Sequence, residues 1–180
     1  MACFGSDQVL IRYYSYVLDQ ILSGDSTEAV VENVHEFMRK LSEDVRESRL
    51  PLEAFIIYKR LGKDPSDYPD AKSQPHVQVA LRMKAKGNNA RAGDVIPYVF
   101  CKPEGEAAST KSAQADRAFH PDDLRRADSK LTIDVEYYLS LQVLPPIERL
   151  CESIEGTDKA RLAECLGLDV TRYASASNQV

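Results

Sequence analysis

Eight basic side chains fall between residues 56 and 91: Lys59, Arg60, Lys63, Lys72, Arg82, Lys84, Lys86 and Arg91. Only Asp64, Asp67 and Asp70 oppose them in that stretch. Both flanks run the other way, with five basic and ten acidic side chains over residues 1–55 and ten and fifteen over 92–180. In a chain of net charge −5, such an island is suited to meeting an anion, while the acidic ends favour solubility. Its chemistry is binding: lysines, arginines and backbone N–H groups can neutralise phosphates without reading a base. The ordinary alternative is a solvated face whose cations the three aspartates blunt.

Groups for catalysis are scarce. His35 falls within an amphipathic pattern and His120 in HPDDL, a helix start, and neither stands near a nucleophile motif. G-x-S-x-G, Walker A and G-x-G-x-x-G patterns are absent. The pairs Asp122–Asp123 and Asp67/Asp70 read as caps or solvated surface and lack the setting of two-metal chemistry. Cys3, Cys101, Cys151 and Cys165 are scattered, without the close spacing that a zinc site requires, and read as reduced. With 43% hydrophobic and 28% charged residues, the composition is that of an ordinary globular chain of one domain or lobe. No apolar run reaches the roughly 20 residues of a membrane span, and MACFGSDQVLIRYYSYV is no secretory leader. An intracellular chain without membrane partners is expected.

The elements that position the island follow from periodicity. Apolar residues Val30, Val34, Met38, Leu41 and Val45 predict a helix opening at Asp25, with Glu28 as its capping-box partner and Pro51 beyond its end. A shorter helix precedes it, from about Val9 to Leu22, closed by Gly24. AFIIYKRL (54–61) and GDVIPYVFC (93–101) read as strands that pair, with Pro97 confining the second to an edge or a bulge. Between them Pro75 and Gly87 bracket a helix, with Val77, Ala80 and Leu81 on its core side and Gln78, Arg82 and Lys86 opposite. His76 then lies at the helix N-terminus, where free N–H groups favour a phosphate. Residues 102–116 read as a mobile loop. Ile133, Tyr137, Leu141, Leu144, Leu150 and Ile154 suggest helical packing across Pro145–Pro146, where a kink or break is required. Thr157 is placed to cap a last helix ending at Gly167. The fold class is α+β, predominantly helical, with a small β element.

KDPSDYPDAKSQPHVQVAL, together with VLDQILSGDSTEAVVENV, AGDVIPYVFC, IDVEYYLSLQVLPPIERLCESIEGTD and ARLAECLGLD, closely resembles the family B DNA polymerases, in particular their eukaryotic, primase-associated alpha type. The resemblance covers the thumb and the adjoining end of the palm. It implies three parts: a divergent segment over 1–15, the thumb and palm-end lobe over 16–173, and a disordered tail over 174–180. The family's two catalytic metal-binding aspartates, in an S-L-Y-P-S-type motif and a D-T-D segment, have no counterpart here, and neither do its C-terminal cysteine clusters. The chain is therefore expected to be part of a longer polymerase and not to polymerise alone. Magnesium is implied for the full-length enzyme only.

What the resemblance implies is grip. A thumb holds primer–template duplex, an RNA–DNA hybrid or DNA, mainly by its backbone, and a hybrid's wide minor groove suits recognition by shape. The family's thumb motif falls on Lys59, Gly62, Lys63, Tyr68, Pro75, His76, Val77 and Arg82. The nucleic-acid-binding set expected is Lys59, Lys63, Tyr68, Lys72, His76, Arg82 and Lys86, with structural roles for Gly93–Asp94 and Tyr137–Tyr138. Primase, the accessory polymerase subunit and a nuclear location are likewise implied. A basic interaction module docking an acidic protein remains the rival reading.

Overall fold

A computed structural model of the protein describes residues 6–103 and 114–173, with side chains from residue 13. The segment 104–113, most of the expected loop, and the tail 174–180 lie outside the described residues, as does the start of the expected N-terminal segment. The chain divides into two compact units, one built on Leu52–Asp134 and the other on Val9–Pro51 with the described residues from Val135 onward. Both are α+β or helical as the patterns require, and each has its own apolar core.

In the first unit, β1 (Ile57–Arg60) and β2 (Val95–Pro103) pair antiparallel, as expected, with Ile57 opposite Tyr98 and Arg60 opposite Val95. β2 is the hub. Further along it, β3 (Ala118–Phe119) pairs with Val99–Phe100 and β4 (Leu131–Ile133) with Cys101–Pro103. Ile96, Tyr98, Val99, Phe100 and Cys101 are all buried, so both faces of β2 are covered and its alternation of polar and apolar is lost. Pro97 is tolerated for a local reason. Leu61 N–H donates to the Asp94 carbonyl at 2.8 Å, so by the alternation of an antiparallel ladder Tyr58–Pro97 is a non-hydrogen-bonded pair. The proline nitrogen faces the other edge, where β3 pairing begins only at Val99. The strand is central, yet an edge at the one residue that cannot donate.

Helix α3 (Pro75–Ala85) packs on β2 and the neighbouring 3-10 turn (Gln114–Arg117). Its buried residues are His76, Val77, Val79 and Ala80, whereas Leu81 is only half-buried. It ends where Gly87, at φ 91°, takes a left-handed conformation, the usual helix-ending role of glycine. Before α3 stand two short 3-10 turns, Pro65–Asp67 and Ala71–Ser73. A short helix α4 (Pro121–Arg125) opens with His120 as its cap.

In the second unit, α1 (Ser6–Leu22) meets α2 (Thr27–Arg46) through Tyr16 stacked on Phe37, centroids 4.3 Å apart, and through Asn33 donating to Gln20 at 2.8 Å. The α2 cap is Ser26, accepting from Ala29 N–H, and not Asp25, so the expected capping box does not form. Val34 and Met38 are fully buried in α2, which packs on α7 (Lys159–Cys165) through a face completed by Leu162 and Ala163. The cap of α7 is Asp158; Thr157 turns inward, its hydroxyl donating to the carbonyls of Cys151 and Ile154. Arg46 closes the other end of α7 by donating to the carbonyls of Leu166 and Gly167 at 3.0 and 3.1 Å.

The double proline produces no break. Helix α5 (Val135–Tyr137) widens into a π-helical segment (Tyr138–Val143) and continues as α6 (Leu144–Leu150), with Pro145 and Pro146 in its first turn. A π turn moves the backbone bonds by one residue, as Leu144 N–H shows by donating to the Leu139 carbonyl, and this accommodates residues that have no N–H. Pro146 cannot serve the Gln142 carbonyl four residues back; the Tyr14 hydroxyl donates to it at 3.1 Å. Ile133, assigned to this helical run by its spacing, belongs instead to β4, and Leu141 is exposed.

Candidate nucleic-acid interface

Among the α-helices that carry a side-chain cap, α2, α4 and α7 use Ser26, His120 and Asp158. Helix α3 has none. Gln74 occupies its cap position, but the Gln74 amide instead donates to the Asp70 carboxylate at 2.6 Å. Pro75 at the first helical position needs no partner, so the N–H groups of the first turn are left without a side-chain acceptor. The helix macrodipole adds partial positive charge at that point.

Around this end the fold gathers Lys59, Lys63, Tyr68 and His76. Lys63 Nζ lies 5.0 Å from the Tyr68 ring centroid, and the Tyr68 and His76 rings meet edge-on at 6.1 Å. The Tyr68 hydroxyl accepts from Gly62 N–H at 2.8 Å, which pins the Lys63 loop to the ring. Lys59 is close enough for its charge to lower the pKa of His76. His76 itself is 2% exposed, and its Nδ1 has no hydrogen-bond partner. Burial first, then Lys59, push its pKa down to about 4, with Asp70 opposing. It is neutral at pH 7 and supports Tyr68 from within. Lys59, Lys63 and Lys72 are exposed and form no ion pair among the described residues. Lys72 sits on the 3-10 turn Ala71–Ser73 that leads into α3.

The other two expected residues lie farther along α3, in different surroundings. Arg82 is half-buried, its guanidinium 4.9 Å from the Phe119 ring centroid. Burial lowers its pKa, while Asp123 and Asp116 act against that shift. Lys86 is exposed but paired with Asp123 at 2.7 Å. Ten residues separate His76 from Lys86, which at the helical rise is about 15 Å. The seven residues therefore form two groups, one at each end of the helix.

Part of the positive island is cancelled within the fold. Lys84 binds both oxygens of Asp64, at 2.8 and 3.0 Å, and holds that carboxyl below the ordinary aspartate range. Asp64 also caps the turn that follows it through Ser66 N–H. Arg60 donates to the Gly93 carbonyl at 3.0 Å. Sequence reasoning allowed that Asp64, Asp67 and Asp70 blunt the local cations but not that Lys84 is the partner of Asp64, and it missed the surface contributed by Phe119, His120 and Arg126, which line hollows beside Arg82. The basic run LRRADSK after HPDD was the available signal; its proximity to α3 was not readable without β3. Among the described residues no group of three His, Cys, Asp or Glu could hold a metal ion, and no helix is long and apolar enough to cross a membrane. Cys101 and Cys151 are buried thiols with pKa values pushed up by burial to about 12 and about 11, a setting without nucleophilic reactivity at neutral pH.

The sequence pattern of DNA polymerase family B matches residues 7–154. The DNA polymerase alpha catalytic subunit of Oryza sativa subsp. japonica is 48% identical over 161 residues, 89% of this chain and 10% of its own length. That of Arabidopsis thaliana is 48% identical over 164 residues, 89% of this chain and 11% of its own. The mouse protein of the same name, from Mus musculus, is 40% identical over 88% of this chain and 10% of its own. The chain thus spans about a tenth of the length of these curated relatives. Among solved structures, the family B DNA polymerase of the hyperthermophilic archaeon Pyrobaculum calidifontis is similar, with a TM-score of 0.63 and 27% identity over 83% of this chain and 18% of its own. By sequence over most of its length and by fold, this chain belongs to DNA polymerase family B.

Proposed function

We propose that this chain is the thumb region, with the end of the palm, of an alpha-type DNA polymerase, and that it grips primer–template duplex by its sugar–phosphate backbone. The observation that carries the reading is the uncapped N-terminus of α3, flanked by Lys59, Lys63 and Lys72 without carboxylate partners among the described residues. Two unspent kinds of donor, backbone N–H and ammonium, converge on one place, which is what a phosphate requires. Tyr68 positions the Lys63 loop and presents its hydroxyl to a phosphate or sugar, with His76 behind it. Arg82 and Lys86 extend the cationic surface along the helix.

The grip needs no chemistry from these residues. Nucleotide addition belongs to metal-binding aspartates elsewhere in a complete polymerase. Such a polymerase would work in the nucleus with primase and its accessory subunit, extending an RNA primer. The test is fluorescence anisotropy of the chain on an RNA–DNA hybrid across a salt series. With about three phosphates neutralised, log K falls against log salt with a slope of about −2 to −3. Salt-independent binding, or binding of heparin with no preference for duplex, rejects the reading in favour of a protein-docking module.

A further inference from the structure

The second half of α3 faces hollows whose lining differs from a phosphate cradle. Two adjoining concavities, of about 210 and about 320 Å³, share Arg82, Lys86, Asp123 and Arg126. Met83 lines the first, and Phe119 and Leu131 the second. Arg126 is held by Asp128 at 3.4 Å, exposed on both sides, and the exposed Lys86 by the half-buried Asp123 at 2.7 Å; bridges whose cation stands in solvent are weak and exchangeable. Arg82 is different: half-buried beside Phe119, it has no ion pair among the described residues.

A bare phosphate would use the cations but gain nothing from Met83, Phe119 and Leu131, and the nearby carboxylates would repel it. A ligand with a flat apolar face, amino groups at its edge and a single anionic group uses the whole lining. We propose that this hollow binds one unstacked nucleotide of a single strand, its base against Arg82 and its phosphate on Lys86 and Arg126. Guanidinium planes and aromatic rings are the usual platforms for splayed bases. When the phosphate takes Lys86, Asp123 is released as an acceptor for an exocyclic amino group. The proposal rests on the nucleic-acid reading above but concerns an unpaired strand, so the two can fail separately.

The experiment is anisotropy of the full chain with labelled single-stranded (dA)10, an abasic strand of equal length, and a duplex. Removing the bases is expected to weaken binding about tenfold, the value of one stacked base. Arg82→Lys keeps the charge but loses the plane and is expected to erase that difference. Lys63→Ala weakens both single strands alike. Equal binding of the two strands, or a difference that survives Arg82→Lys, overturns the proposal. Lys86→Gln, at an exposed position, gives a second reading: both strands must bind several-fold more weakly, and unchanged binding also overturns it. Arg82-dependent binding of a Phe-Asp peptide with no binding of (dA)10 would mean that the hollow docks protein, and the proposal fails. Loss of duplex binding alone would instead reject the grip proposed for the start of α3.

Discussion

Lys84 reaches from the last turn of α3 back to Asp64, placing its ammonium 2.8 and 3.0 Å from the two carboxylate oxygens. Twenty residues separate the pair, and between them lie Tyr68, Lys72, His76 and Arg82. The bridge therefore closes the segment that carries most of the expected contacts. It also removes from the positive island one cation that charge counting had included.

Breaking this link should loosen the loop more than the fold. Lys84→Ala is expected to lower affinity for duplex several-fold while leaving the unfolding midpoint nearly unchanged, since both partners are about one-third exposed. The charge-reversed pair Lys84→Asp with Asp64→Lys should recover part of the affinity. A full loss of the midpoint in Lys84→Ala would assign the bridge to stability instead.

Lys59 and Lys63 should each account for about one released counterion. Lys59→Ala and Lys63→Ala are each expected to make the salt slope shallower by about 1, whatever the sequence of the duplex. An unchanged slope in both variants places the phosphates elsewhere.

His76 makes stability depend on pH in a defined window. Its folded pKa of about 4 lies below the ordinary 6.5, so between those values the unfolded chain takes up a proton that the folded chain refuses. Stability present above pH 6.5 is lost as pH falls toward 4, with a ceiling of about 3 kcal/mol. His35, lowered chiefly by burial while its Nε2 meets the Gly156 carbonyl at 3.0 Å, adds in the same direction. Urea unfolding at pH 7 and pH 5 should show a smaller loss in His76→Leu than in the parent. Equal losses would remove His76 from the account.

Tyr14 should matter through its hydroxyl. Tyr14→Phe deletes the donor to the Gln142 carbonyl that Pro146 cannot serve, at an expected cost of about 1 kcal/mol. Chemical denaturation reads this directly, and an unchanged midpoint in Tyr14→Phe would remove this bond from the account.

Much of this was legible one element at a time. Pro75 and Gly87 marked α3 because fixed φ and positive φ are local demands of the backbone, and the spacing of Val30, Val34, Met38, Leu41 and Val45 marked α2 because a 3.6-residue period places them on one face. Errors arose where two local candidates compete and tertiary packing chooses. Ser26 caps α2 where Asp25 was expected, and Asp158 caps α7 while Thr157 turns its hydroxyl to Cys151 and Ile154. At Pro145–Pro146 the rule that prolines break helices gave way to a π segment and to Tyr14, a partner 128 residues away in sequence.

The site divides in the same manner. Residue order alone established that positive charge collects between 56 and 91, that a helix begins at Pro75, and that the family is that of the polymerases. Only the folded chain decided which charges remain available. Lys84 is cancelled by Asp64 and Lys86 is held by Asp123, whereas Arg82 is set against Phe119, a neighbour brought there by the pairing of β3 with β2. Formal charge is additive along a sequence, but the field that a ligand meets depends on distance and burial, and those are properties of the tertiary structure.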